Sequence, residues 1–205
     1  MALMPPKQQP SGDAASLAGW PGSPGGDRPT PGEARRVVFA PMLETDLDAV
    51  CEVEKAAYAH PWSHKHFADS LASAYPAILL LGEAGERETV WPKRADGRIL
   101  LGYIVAMPGV GEVHLLNVTV SPAHQRQGWA RCLMDALVFW ARGQRAEWLW
   151  LEVRAGNVPA RRLYDSHGFQ AVGLRKGYYP AGHFQREDAV VMSLALTANE
   201  ENSDE

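Results

Sequence analysis

The sequence predicts an α/β domain: one mixed, mostly antiparallel sheet of six to seven strands with helices on both faces. Three observations carry that expectation. Apolar residues recur with a period of two in some stretches and about 3.6 in others, and between residues 35 and 197 the order reads β-α-α-β-β-β-α-β-α-β-β. Hydrophobic residues make up 46% of the 205, enough for a segment of this size to bury most of its apolar surface. Breakers such as Ser121-Pro122, Gly143 and Gly168 stand where the period changes.

Arg36 to Pro41 reads as the first strand. Glu44 to Tyr58 carries Leu47, Val50, Cys51 and Ala57 at helical spacing behind a Thr45 or Asp46 cap. A second helix follows Trp62-Ser63, with Ser63 as its cap and Phe67 and Leu71 facing inward. Ala77 to Leu81 and Ile99 to Met107 form a hairpin across a polar turn region, Gly82 to Gly97, and Val113 to Val120 is a third apolar run. Residues 128–142 place Leu133, Ala136, Leu137 and Trp140 on one helical stripe, and Gly143 closes that helix. Trp148 to Val153 is a continuous apolar run of the kind that predicts a strand buried on both faces. Pro159 to Ser166 is helical, with Pro159 in the first turn and Gly168 at the end. Phe169 to Tyr179 and Ala189 to Leu196 complete the sheet as a strand pair.

Residues 1–34 are rich in Pro, Gly, Ser and Ala and hold few large apolar side chains, so they read as a flexible tail, as does the acidic segment 198–205. Of the net charge of -4, the first segment carries -1 and the last -4, which leaves +1 on the domain between. A near-neutral body argues against nucleic acid as the main partner, because phosphate neutralisation needs a concentrated basic face. No run of 18 to 20 apolar residues and no basic cap with an apolar segment at the start is present, which predicts a cytoplasmic protein without membrane association. Cys51 and Cys132 lack paired spacing and read as reduced core residues. His60, His64 and His66 cluster beside Trp62 without a carboxylate or cysteine at ligand spacing. They read as a solvated or substrate-facing helix start, and no metal is expected.

Between the strand ending at Val120 and the helix starting near Gly128 lies Gln125-Arg126-Gln127-Gly128-Trp129-Ala130. A helix start with small residues presents free backbone N–H groups at the positive end of the helix dipole, which suits a pyrophosphate. Gly128 lets a ligand approach the backbone, and Arg126 and Arg131 add charge; an ordinary strand-to-helix turn stays open beside this reading. A Rossmann site is disfavoured, since neither Gly-x-Gly-x-x-Gly nor a suitably placed acid is present. Glu152 ends an apolar strand, where a carboxylate is paired, solvated or kept for chemistry; a salt bridge to Arg154 is the bland alternative. Tyr164 shares a helical stripe with Ala160, Leu163 and His167 and reads equally as core, while Asn157 reads as a helix cap. Trp62, Tyr178 and Tyr179 suit a peptide groove or plain core alike.

Gln125-x-x-Gly128-x-Ala130 after a strand resembles the acetyl-CoA motif of the GNAT N-acetyltransferases. Leu116-Asn117-Val118-Thr119-Val120-Ser121-Pro122, Glu152-Val153-Arg154-x-x-Asn157, Leu163-Tyr164-x-x-x-Gly168-Phe169, Tyr178-Tyr179-Pro180 and Arg186-Glu187-Asp188-Ala189 follow in order. They resemble the ribosomal-protein-alanine branch of that family over residues 36–196, and His60-Pro61-Trp62-Ser63 resembles its substrate-side helix region. Two departures fall on the substrate side: Gly177 stands where the branch has Asn, and the turn at 82–98 is longer.

The resemblance implies a GNAT fold and acetyl-CoA as cosubstrate, held by Val118, Thr119, Val120, Arg126, Gln127, Gly128, Trp129, Ala130, Arg131 and Asn157. It implies Glu152 as proton acceptor, Tyr164 as proton donor to the leaving thiolate, and backbone N–H near Val118 as oxyanion donor. The implied acceptor is the N-terminal alanine of an S18-type small-subunit ribosomal protein. A family member acting on another N-terminus or a small amine shares every cofactor residue; a non-catalytic acetyl-CoA-binding domain is disfavoured by the presence of both Glu152 and Tyr164.

Overall fold

Seven strands and four helices take the expected order in the computed structural model, which describes residues 36–84, 92–94, 96–181 and 185–196. The tails expected at 1–34 and 198–205 and the middle of the turn at 82–98 lie outside the described residues. The elements are β1 (Val37–Pro41), α1 (Leu47–Ala57), α2 (His64–Ala72), β2 (Ala77–Gly82), β3 (Ile99–Pro108), β4 (Glu112–Val120), α3 (Trp129–Gly143), β5 (Trp148–Arg154), α4 (Val158–Ser166), β6 (Gln170–Pro180) and β7 (Arg186–Ala195).

The strands form one sheet in the order β1-β2-β3-β4-β5-β7-β6. Every neighbouring pair is antiparallel except β4 and β5, and that parallel pair requires the α3 crossover between them. Side chains of a strand alternate between faces, so the central strands feed two cores. Ile104 and Ala106 of β3 meet Leu133, Leu137 and Trp140 of α3, in a cluster that also takes Tyr164 and Phe169. On the other face Tyr103 and Val105 meet Leu47 and Val50 of α1 and Phe67 of α2.

Several local expectations meet a different outcome. Thr45 and Asp46 do not cap α1 with a side chain: a short 3₁₀ turn, Glu44–Asp46, precedes the helix. There the Asp46 carboxylate accepts from the Leu43 N–H at 2.9 Å and pairs with Arg94 at 3.2 Å, tying the turn to the segment before β3. Gly143 is the last residue of α3, as expected, but the left-handed residue that turns the chain comes two positions later at Arg145, whose φ is 58°. β5 is buried on one face rather than two. Leu149, Leu151 and Val153 are buried, whereas Trp148 is exposed and Trp150, Glu152 and Arg154 are half-buried. The reason is lateral: α1 packs on β3 and β4, so the helical cover on that face stops before it reaches β5. Ser63 does cap α2, accepting from the His66 N–H, and Asn157 caps α4, accepting from the Ala160 N–H at 3.3 Å.

Candidate active site

β4 and β5 run parallel only from Glu112 opposite Trp148 to Leu115 opposite Leu151. Beyond that point the strands part, because β4 carries an extra residue. Val105 of β3 faces Asn117 and Ala106 faces Leu115, which leaves Leu116 as a bulge. The extra residue inverts the alternation: Val113 and Leu115 face α3 before it, Val118 and Val120 after it. Asn117 and Thr119 are thereby turned toward α1 and buried.

The splay opens a cleft of about 140 Å³, lined among others by Tyr58, Trp62, Val118, Glu152, Asn157, Tyr164 and Tyr179. The backbone direction of β4 inside it follows from hydrogen bonds. The Ser121 N–H donates to Leu101 of β3 at 2.9 Å, so odd-numbered residues of this stretch point at β3. In a strand a residue's N–H and C=O leave on the same edge, so Val118 and Val120 point the other way, into the opening. Their carbonyls are used there, accepting from the Tyr58 hydroxyl at 3.1 Å and from Gln125 Nε2 at 3.3 Å. Their N–H groups face the same opening, one residue apart from Thr119.

Past the cleft, α3 begins at Trp129 behind Gly128, whose φ of 89° and ψ of -4° are left-handed. No side chain caps this helix, and a Cβ on Gly128 would meet no protein atom within 4 Å. Glycine is thus required by backbone conformation and by whatever approaches from outside, not by packing. The first-turn N–H groups face that approach with the helix dipole behind them, which suits a diphosphate. Arg126 is exposed and itself left-handed at φ 63°. Trp129 donates its indole N–H to Gln127 at 3.1 Å, and Arg131 reaches Ser166 of α4 at 3.4 Å. These residues fit the pyrophosphate part of acetyl-CoA, with the splayed N–H groups of β4 leading from it to the cleft.

Two titratable groups predicted to move protons flank the cleft. Tyr164 is 6% exposed, and burial, followed by the neighbouring phenols of Tyr58 and Tyr179, pushes its pKa well above the ordinary tyrosine value. It is held protonated and able to donate. Glu152 is half-buried near the C-terminal end of β5, and its ion-pair partner is Arg175 of β6 at 2.9 Å, not Arg154. Arg154 pairs instead with Glu187 of β7 at 3.1 Å and lies over the Tyr179 ring at 4.4 Å. The Tyr179 hydroxyl donates to the Glu152 carbonyl at 3.2 Å, and its pKa is pushed up to about 12, by burial first and then by the Glu152 carboxylate.

The structure brings Val118, Glu152, Asn157 and Tyr164 together at the cleft. Val120 contributes backbone at its mouth, whereas Arg126, Gln127, Gly128, Trp129, Ala130 and Arg131 sit at the head of α3, outside the lining. Thr119 turns its side chain away, into the buried polar cluster under α1. Trp62 and Tyr179 line the groove, and Tyr178 packs edge-on against Tyr179 with ring centroids 5.0 Å apart. The departure at Gly177 has a backbone reason: its φ is 56° and its N–H donates to Asp188 at 2.7 Å. Glycine and asparagine are the residues that take this conformation most readily.

The residue types missed from the sequence are Glu54 and Tyr58. Glu54 is 2% exposed, and its carboxylate accepts from the Trp62 N–H at 2.9 Å, Asn117 Nδ2 at 3.3 Å and the Tyr103 hydroxyl, with Thr119 Oγ1 beside it at 3.4 Å. Burial and then this carboxylate push the Tyr103 pKa far up. The signal was present: Glu54 follows Leu47, Val50 and Cys51 at i+7, i+4 and i+3, an acid on the apolar stripe of a helix.

A bulged strand splayed from its parallel neighbour, next to an uncapped, glycine-led helix start and a buried phenol, defines an acyltransferase that uses a coenzyme A thioester. The chain belongs to the acetyltransferase (GNAT) family, whose model matches residues 47–169, and acetyl-CoA is its acetyl donor. It is 36% identical over 158 residues to the [ribosomal protein bS18]-alanine N-acetyltransferase of Salmonella typhimurium, covering 76% of this chain and 95% of that protein. It is also similar to the crystal structure of the ribosomal-protein-S18-alanine N-acetyltransferase from Escherichia coli. That pair has a TM-score of 0.67 and 32% identity, over 82% of this chain and 99% of the other. Arabidopsis thaliana NAA60, crystallised with acetyl-CoA, shares the fold at 17% identity and a TM-score of 0.65, over 78% of this chain and 98% of that one. No helix among the described residues is long and apolar enough to cross a membrane.

Proposed function

We propose that this enzyme transfers the acetyl group of acetyl-CoA to the α-amine of the N-terminal alanine of the small-subunit ribosomal protein bS18, in the cytoplasm. The observation that carries the reading is the cleft at the β4–β5 splay, where a buried phenol and a carboxylate face one opening beside the outward N–H groups of β4. The named relatives supply the acceptor. An α-ammonium group with a pKa near 8 must lose a proton before it can attack a thioester. Glu152 accepts that proton, directly or through water. The amine nitrogen bonds to the acetyl carbon, the Val118 N–H stabilises the oxyanion that forms, the nitrogen releases its second proton to solvent, and the C–S bond breaks with its electrons on sulfur. Tyr164 protonates that thiolate, and solvent returns the proton from Glu152 to the phenol. Val118, Val120, Arg126, Gln127, Gly128, Trp129, Ala130, Arg131 and Asn157 hold the donor, with Val120 acting through backbone; Thr119, expected among them, has its backbone groups on β3 and its side chain under α1, and only spaces Val118 from Val120.

Mass spectrometry of synthetic N-terminal peptides incubated with the enzyme and acetyl-CoA tests this. A single 42-dalton gain on the α-amine of an alanine-starting bS18 peptide is expected, from the mass of an acetyl group replacing hydrogen (~42 Da). Efficient acetylation of other N-termini or small amines, with bS18 peptide unmodified, would overturn the acceptor assignment.

A further inference from the structure

We infer that Glu54 is the acceptor-binding charge of this cleft, the anion that captures the α-ammonium group of the incoming N-terminus before Glu152 takes its proton. The inference rests on the reading that the cleft accepts an α-amine. Three neutral donors satisfy the Glu54 oxygens, from Trp62, Asn117 and Tyr103, with the Thr119 hydroxyl 3.4 Å away. They satisfy hydrogen bonding but not charge. No Lys, Arg or His among the described residues forms an ion pair with Glu54, whereas the other charged groups of the lining are matched, Glu152 by Arg175 and Arg154 by Glu187. A scaffold that needed only hydrogen bonds could be built from glutamine, since the Tyr103 and Thr119 hydroxyls can rotate to accept from an amide. A buried carboxylate without a cation costs more than that amide, so the charge itself has a use. The use lies in the cleft that Glu54 lines, into which a cationic substrate must come.

Two carboxylates thereby divide the work. Glu54, on the α1 side, is buried and hydrogen-bonded on both oxygens, and holds the positive charge in place; Glu152, on β5, is half-buried and is the group assigned to the proton. Tyr58 ties the end of α1 to β4, donating to the Val118 carbonyl and accepting from Thr119 Oγ1 at 3.0 Å. The remaining titratable or charged groups around the amine are His60, Tyr103, Arg154, Tyr164 and Tyr179.

The test compares full-length wild type, Glu54→Gln and Glu54→Asp with acetyl-CoA and an alanine-starting peptide. Loss of an interaction made with the bound ammonium raises KM, here by about tenfold or more in Glu54→Gln, while the acetyl-CoA Kd stays within twofold. An adjacent anion raises the pKa of an ammonium, so the acidic limb of kcat against pH moves to lower pH in Glu54→Gln, which a merely structural role would not produce. Glu54→Asp retains the charge and keeps KM within threefold and the limb in place even where Tm falls; it carries the test if Glu54→Gln does not fold. An unchanged KM in Glu54→Gln, a raised KM with an unmoved limb, or an equal KM rise in Glu54→Asp overturns the inference. A wild type that leaves the peptide unmodified refutes the acceptor reading beneath it, whereas an active wild type beside an unaltered Glu54→Gln refutes the role of Glu54 alone.

Discussion

Tyr164→Phe removes a single oxygen from the buried wall of the cleft. The ring stays, with its 5.8 Å contact to Phe169, so folding stability should change by no more than about 1 kcal/mol. The catalytic loss should be far larger. Burial and the phenols of Tyr58 and Tyr179 hold the Tyr164 pKa well above its usual value, which keeps the group protonated across the working pH range. General acids of this kind contribute roughly 10²- to 10⁴-fold, or about 2.7 to 5.5 kcal/mol of barrier. The assay is kcat by mass spectrometry of the acetylated peptide, measured with acetyl-CoA and with the acetyl ester of a more acidic thiol. Such a thiolate leaves without needing a proton, so the deficit should shrink with the second donor. A variant with wild-type kcat on acetyl-CoA, or an equal deficit on both donors, would refute Tyr164 as the proton source.

Glu152→Gln keeps the shape of the side chain but cannot accept a proton; kcat/KM should fall by roughly 10²- to 10⁴-fold with acetyl-CoA affinity intact, and calorimetry that shows lost donor binding would contradict this. In Gly128→Val the new Cβ meets no protein atom within 4 Å, so the main folding cost is that of a left-handed backbone at φ 89°, about 1–2 kcal/mol. The acetyl-CoA Kd should rise about tenfold or more, and an unchanged Kd in the folded variant would remove the phosphate-loop assignment. The phenols of Tyr58, Tyr103, Tyr164, Tyr178 and Tyr179 all have raised pKa values, with burial the first cause in each. The folded state therefore holds these protons more tightly than the unfolded chain. Their contribution to stability is complete below the unfolded value near 10 and is lost as pH rises past it, through about 12 for Tyr179. Tyrosinate absorbance should appear together with loss of circular dichroism; ionisation of more than one of the 6 tyrosines near pH 10 in a still-folded protein would refute it.

Local chemistry was legible in the chain wherever one residue or one period decides the outcome. Ser63 and Asn157 cap their helices because a short oxygen-bearing side chain satisfies a first-turn N–H whatever packs around it. Leu133, Ala136, Leu137 and Trp140 face the core because a helix repeats every 3.6 residues. Glu152, Tyr164 and Gly128 stood out because an acid ending an apolar strand, a tyrosine in the Leu163-Tyr164-x-x-x-Gly168-Phe169 block and a glycine at a helix head are visible without coordinates. What the coordinates alone decided depends on neighbours distant in sequence. The cover of β5 ended early because α1 lies over β3 and β4, a lateral relation that an apolar run cannot report. Arg175 rather than Arg154 pairs with Glu152, since strand β7 draws Arg154 to Glu187. Glu54 gained its meaning only when the Leu116 bulge turned Asn117 and Thr119 toward it, 63 and 65 residues along the chain. Periodicity is a property of a segment and survives in the sequence. Register, bulges and charge pairing are properties of two segments at once, and only the folded chain brings both into contact.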